Sequence, residues 1–210
     1  MKRLWICPRN DLEAATIIDL LNRLGERVLV TEQRWGASWK GLEVPIQQEL
    51  QSALAEGREV RGIELAGDPP GHAHNIDHHR YAAEDRSHPL SSLEQTAANL
   101  GYSLNRHERL VAANDRGYIP ALEAAEATPA EIAALRAADR AAQGLTEQDE
   151  AQAKSDLARA EWRGRTVFVR CEGRSTAWHT DLISGSDDEL LLAGSDNWVL
   201  SGPRSLEGFD

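Results

Sequence analysis

The chain opens on a short apolar run, Arg3-Leu-Trp-Ile-Cys7, and then changes period. From Asp11 to Leu24 the apolar positions Ala14, Ile17, Ile18, Leu21 and Leu24 recur at helical spacing. A strand followed at once by an amphipathic helix is predicted. Gly25 stops that helix, Arg27 to Val30 reads as a second strand, a helix runs from about Pro45 to Glu56, and Gly57 leads into a third strand from Val60 to Ala66. Beyond a turn rich in glycine, proline and histidine, Asn75-Ile76 reads as a short fourth strand. Helices follow from about Ser91 to Leu100 and from Asn105 to Asn114. This alternation predicts an α/β domain built on a parallel sheet, and in such sheets ligands gather at the carboxyl ends of the strands.

From Pro129 to Arg163 the chain is rich in alanine, with Ile132, Leu135, Ala138 and Ala142 at helical spacing and an interruption near Gly144. Two helices acting as a connector are expected. After Arg165 the pattern becomes strand-like, at 166–170, 190–193 and 198–201, between turns of glycine, serine and aspartate. The expected organisation is an α/β domain over 1–128, a helical connector over 129–163 and a small α+β C-terminal lobe over 164–210. A lobe of that size does not fold securely alone.

Charge narrows the function. The 210 residues include 34 acids and 23 bases, for a net charge of −11, and each of the three regions is net negative. Long nucleic acid, which is gripped through a basic track, is therefore not an expected partner, whereas a small ligand clamped locally is. No apolar run approaches the roughly 18 residues of a membrane span, and the N-terminus lacks the plan of a signal peptide. A soluble cytoplasmic protein without a membrane partner is expected, and the sequence leaves room for a homo-oligomer. Cys7 and Cys171 are far apart and form no C-x-x-C pair, which argues against a disulfide framework or a cysteine zinc site. Any metal would be held by oxygen and imidazole.

The segment from Asp68 to His79 crowds four histidines (His72, His74, His78, His79) and two aspartates (Asp68, Asp77) together just after the third predicted strand. Imidazole mixed with carboxylate suits Mn, Zn, Fe or Co, whereas an all-oxygen set suits Mg or Ca. Asp11 and Glu13 lie at the turn between the first strand and helix, and Asp115 lies at the end of a later helix. A parallel sheet brings these regions toward one edge.

Asn75-Ile-Asp-His-His79 resembles the signature of the DHH phosphoesterase superfamily. Asn10-Asp-Leu-Glu13 is similar to that family's first motif, Asp68 to its second, and Asn114-Asp-Arg-Gly117 to its fourth, all in the family's order within residues 1–128. The resemblance implies a phosphohydrolase with a pair of divalent ions, usually manganese, holding a hydroxide that attacks phosphorus in line. Two cations would neutralise the phosphoryl oxygens and lower the pKa of water. By the same resemblance, Asp11 and Glu13 would bind different ions, Asp68 would bridge them, and His78 and Asp115 would complete the second site. Asp77 would orient a neighbouring imidazole and His79 would contact the phosphoryl group. The negative charge favours a small substrate: a short oligonucleotide, a dinucleotide or a nucleotide phosphate.

Two positions depart from the family pattern. Arg9 stands where the family has a histidine ligand, and Glu13 where it has aspartate. Arginine has no lone pair to offer a metal. Three readings stay open: His72 or His74 supplies the missing nitrogen; one ion binds tightly while Arg9 clamps phosphate; or hydrolysis is lost and the pocket is a non-catalytic binding or sensor site. Arg80 and Arg116 beside the motifs are candidate substrate contacts, as are Arg174 and His179 in the tail, where the family carries a substrate-binding lobe with a Gly-Gly-Gly-His loop that this chain lacks. Trp35 and Trp39 are spaced to stack a base, though covering the sheet is the favoured reading. His88 and His107 have no motif around them and read as structural.

Overall fold

The apolar run at the N-terminus becomes the centre of a sheet. In the computed structural model, which describes residues 3–80, 85–163, 166–171, 175–183, 189–193 and 198–201, β1 (Leu4–Pro8) is buried along its whole length. It pairs in parallel with β2 (Arg27–Thr31) on one side and β3 (Val60–Ile63) on the other, and β3 pairs in parallel with β4 (His74–Ile76). The order is β2-β1-β3-β4, so the centre of the sheet is the most apolar strand, as a sheet covered on both faces requires. The chain divides into two compact units, Met1–Arg116 and Gly117–Asp210.

In the first unit, α1 (Leu12–Arg23) buries Ala14, Ile17, Ile18, Leu20 and Leu21. Each large aliphatic side chain so buried contributes roughly 1.5–3 kcal/mol. Leu24, expected on that face, is instead the C-cap and is exposed, because the chain turns at Gly25 with φ +69°. A second apolar cluster contains Leu4, Ile6, Trp39, Leu42, Leu50, Ala53, Val60 and Leu65. Leu50 and Ala53 come from α2 (Val44–Ala55). Trp39 lies over Gly62 of β3, where a Cβ would run into the indole ring. Trp39 therefore covers the sheet, while Trp35 is exposed. α3 (Ser92–Leu100) starts at a capping box between Ser91 and Glu94 and stops at left-handed Gly101. α4 (Arg106–Ala124) extends past the expected end at Asn114 but is broken at Gly117 and Tyr118, where Tyr118 has φ +52°. The division between the two units falls at this break.

In the second unit, α5 (Pro129–Ala142) and α6 (Glu147–Ala158) appear where two helices are expected. Both pack on α7 (Ala177–Ile183), and α6 also packs on β6 (Thr166–Arg170). The sheet β5-β6-β7-β8 adds β5 (Glu161–Arg163), β7 (Glu189–Ala193) and β8 (Trp198–Ser201), with a parallel pair β6-β7 between two antiparallel ones. Val167, Val169 and Cys171 form its core against Leu157, Ala160 and Ile183. Cys7 and Cys171 are free thiols. Among the described residues no helix is long and apolar enough to cross a membrane.

Candidate metal centre

Four segments meet at the carboxyl edge of the parallel sheet. After β1, Asp11 adopts an extended conformation and caps α1, its Oδ1 accepting the Ala14 N–H at 2.9 Å. Glu13, in the first turn, is buried and accepts the Leu93 N–H at 2.9 Å. Leu93 lies in the first turn of α3, where the helix dipole favours an anion. Thus two helix N-termini fix one carboxylate.

Glu64 follows β3 directly, with φ +51°. A non-glycine residue in that region costs about 1–3 kcal/mol and persists only where its surroundings impose it. Here they do. Glu64 N–H donates to the Ile76 carbonyl at 2.8 Å, and the Asn75 amide engages both backbone polar groups of Leu65, at 2.9 and 3.3 Å. The Arg86 guanidinium donates to the carbonyls of Leu65 and Gly67 at 2.7 and 2.8 Å, and the Ser92 hydroxyl donates to Glu64 Oε1 at 2.8 Å.

Beyond β4, Asp77 Oδ1 accepts the N–H groups of His78 and His79 at 2.8 and 3.0 Å and lies 2.9 Å from His79 Nδ1. Asp77 thereby sets the orientation of the His79 ring, and Arg86 approaches its other oxygen at 3.4 Å. Asp115 arrives from α4 just before the break. His78 Nε2 is 2.7 Å from Asp115 Oδ2, 3.6 Å from Glu64 Oε1 and 3.9 Å from Glu13 Oε2, with its side chain only 9% exposed. Close as they are, His78 Nε2 and Asp115 Oδ2 are buried and make no hydrogen bond. Glu13, Glu64, His78 and Asp115 each offer a donor atom within 4.8 Å of all the others, and Glu64, His78 and His79 form an overlapping set.

The electrostatics follow from this crowding. Burial pushes Glu13 well above the usual carboxylate range, with the Asp115 charge adding to it. Burial and then Glu64 do the same to Asp115, and burial and then Glu13 push Glu64 up to about 8. Burial, reinforced by the charge of His79, brings His78 down to about 4, so its imidazole is neutral with a lone pair to give. Burial opposes charge on His79, but its bond to Asp77 and the nearby Glu64 outweigh this and raise it to about 9. Asp77 is held below its ordinary value, the bonds from His79 overcoming burial. Beneath the cluster, burial and then the charge of Glu64 push the Cys7 thiol well up. Carboxylates buried against one another lack the counter-charge that buried anions need. One neutral nitrogen and three oxygens with unfilled lone pairs fit a divalent transition-metal ion.

Of the residues expected at the site, Asp11, Glu13, Asp77, His78, His79 and Asp115 lie together. Asp68 does not join them: it is exposed, because the chain leaves β3 at Ile63 and not after Ala66, and Glu64 occupies the end of the strand instead. Arg9 is exposed at the end of β1. His72 is exposed with Nε2 3.0 Å from the Arg58 carbonyl, His74 is exposed on β4, and neither is among the converging groups. Arg80 is exposed, 3.8 Å from Asp85. Arg116 lies 3.4 Å from Glu94 and bonds the Pro89 carbonyl, and its charge acts on His78. His179 is no surface contact: it is 1% exposed in the second unit, Nε2 3.0 Å from Asp156, because α7 turns it inward. Arg174 lies outside the described residues.

No protein-family model matches the chain, and no curated protein matches it in sequence. The functional reading therefore stands on the geometry of its own residues.

Proposed function

We propose that this chain is a divalent-metal-dependent phosphohydrolase of the DHH type, acting on a small phosphodiester or phosphomonoester such as a short oligonucleotide, a dinucleotide or a nucleotide phosphate. The observation that carries the reading is the buried His78 Nε2, without a hydrogen bond, facing three carboxylates at the carboxyl edge of a parallel sheet. Bound there, a divalent cation supplies Lewis acidity, acidifying water and neutralising phosphoryl oxygens. Glu13, Glu64, His78 and Asp115 hold it, and this mixed donor set suits manganese as well as zinc, iron or cobalt. Asp77 fixes His79 through Nδ1, so the ring meets a phosphoryl oxygen through Nε2. Arg116 adds positive charge beside the site for the rest of the phosphate.

Turnover of a panel running from pyrophosphate through nucleotides to dinucleotides, with added Mn²⁺, tests the proposal. Manganese-dependent release of phosphate or nucleotide is expected, and His78→Ala should abolish it while circular dichroism stays unchanged. The second reading, a non-catalytic binding or sensor protein, is favoured by one observation: an exposed arginine at position 9 with neither His72 nor His74 in the cluster. Intact ligand retained in the presence of Mn²⁺ would select it. A protein that holds neither metal nor phosphorylated compound would end both readings.

A further inference from the structure

We infer that this chain binds a single divalent transition-metal ion, through Glu13, Glu64, His78 and Asp115, rather than a pair. The inference rests on reading the cluster as a metal centre and concerns how many ions it takes. Donors about 2.1 Å from a shared ion lie roughly 3–4 Å from one another, and the four donor atoms here are all within 4.8 Å of each other. His78 Nε2 lies 2.7, 3.6 and 3.9 Å from oxygens of Asp115, Glu64 and Glu13, so one ion beside it can reach all four residues. The overlapping set of Glu64, His78 and His79 adds only His79 to these residues, and His79 Nδ1 already lies 2.9 Å from Asp77 Oδ1.

Of the residues that a second ion would require, most are engaged in other bonds or lie outside the cluster. Asp11 caps α1 through Oδ1. One oxygen of Asp77 already takes two backbone N–H groups and the His79 ring, and the other faces Arg86. Asp68 is exposed and outside the cluster, His72 faces the Arg58 carbonyl, and position 9 is an arginine, which repels a cation. Of the histidines in the first unit, the one whose lone pair is buried among carboxylates without a hydrogen bond is His78, and one neutral imidazole with three carboxylates completes the shell of one ion. The three carboxylates give that ion more than enough negative charge, and a mixed nitrogen and oxygen shell favours Mn²⁺ or Zn²⁺ over Mg²⁺ or Ca²⁺.

Calorimetric titration of the chelator-stripped full chain with MnCl₂, with electron paramagnetic resonance of the loaded protein, tests this without any substrate. The expected result is one equivalent bound and the hyperfine pattern of an isolated Mn(II) ion. Two equivalents of similar affinity, or an exchange-coupled spectrum, would overturn the inference and leave the phosphohydrolase proposal standing. One equivalent without turnover of any phosphorylated compound would uphold the inference and remove the hydrolase reading. No binding at all would overturn both. Glu64→Gln and His78→Ala should each weaken Mn²⁺ binding by at least about tenfold, the loss that even a partner behind a ligand causes. His79→Ala should leave the stoichiometry at one. If either ligand variant fails to fold, the wild-type stoichiometry and spectrum decide the matter alone.

Discussion

Each unit buries a cluster of acids with an imidazole, and the two clusters solve the problem of buried charge in opposite ways. In the second unit the acids of the cluster, Asp139, Asp156 and Asp181, each have a donor. Asp139 accepts from Arg136 and Gln143 at 3.0 and 3.1 Å, Asp181 from Arg136 at 2.6 Å and also from Arg140, and Asp156 from Gln152 and Arg159 at 2.7 and 2.8 Å, with His179 at 3.0 Å. Arg136 and Arg140 lie over the rings of Tyr118 and Trp178 as well. His179 Nδ1 and Trp178 Nε1 are among the buried nitrogens left without a hydrogen bond. In the first unit the acids face one another and a neutral imidazole. The residue types are alike, so composition does not separate a structural network from a ligand site. What separates them is whether the protein itself brings the positive charge.

The sharpest way to break the comparison is to remove the internal cation. Arg136 is 3% exposed at its side chain and serves both Asp139 and Asp181. Taking away one member of a buried ionic cluster strands the rest and costs about 3–5 kcal/mol. Arg136→Ala is expected to lower stability to urea by that amount, equally with and without Mn²⁺. A loss below about 1 kcal/mol would mean that the network is no better than a surface pair.

The second prediction concerns pH, because the acids of the first cluster face the neutral imidazole of His78. In the metal-free chain, Glu64 keeps its proton up to about 8 when folded, against an ordinary value of 4.5. The folded state therefore binds more protons than the unfolded chain across that window, and stability falls as pH rises through it. Glu13 and Asp115, also raised, act with the same sign. So does His79, whose contribution is complete below 6.5 and lost as pH rises through about 9. His78, lowered from 6.5 to about 4, opposes them only between those two values. From pH 6.5 to 8 all contributions point downward, by about 1.4 kcal/mol per pH unit for each proton released. Melting temperature followed over that range should fall in chelator and should level or rise in excess Mn²⁺, which favours the ionised acids. A flat metal-free profile would show that the acids are not buried as a group.

The sequence made the frame of this site legible. Apolar strands alternating with amphipathic helices place whatever follows a strand at the carboxyl edge, so Asp11, Glu13, Asp77, His78 and His79 could be assigned there from pattern and motif spacing. Glu64 is hidden by the apolar residues around it. Ile63, Leu65 and Ala66 prolong the run of β3, and nothing in the alternation marks a left-handed turn at Glu64. The one available signal is an acid embedded between Ile63 and Leu65, where an idle carboxylate is costly. Arg86 lies in a stretch without periodicity, and its hold on Leu65, Gly67 and Asp77 depends on three-dimensional closure alone. In α5, Arg136 and Asp139 at helical spacing look like an exposed pair of an alanine-rich helix. In the fold Arg136 meets Asp181 of α7 and the ring of Tyr118. His179 is hidden for the same reason, since its turn-like surroundings in the sequence give no sign that α7 faces it inward.

The smallest predicted effect tests which acid closes β3. Asp68, four positions beyond Glu64, is exposed and makes no part of the converging set. Asp68→Asn should change stability by no more than about 0.5 kcal/mol, as surface substitutions do, and should leave Mn²⁺ affinity where it was. A loss of affinity comparable to that of Glu64→Gln would mean that the chain after β3 can deliver Asp68 to the cation. The left-handed conformation of Glu64 argues against this. Strain at a non-glycine residue is retained where something holds it, and here the Asn75 amide, Arg86 and Ser92 all act to keep Glu64, not Asp68, turned toward His78.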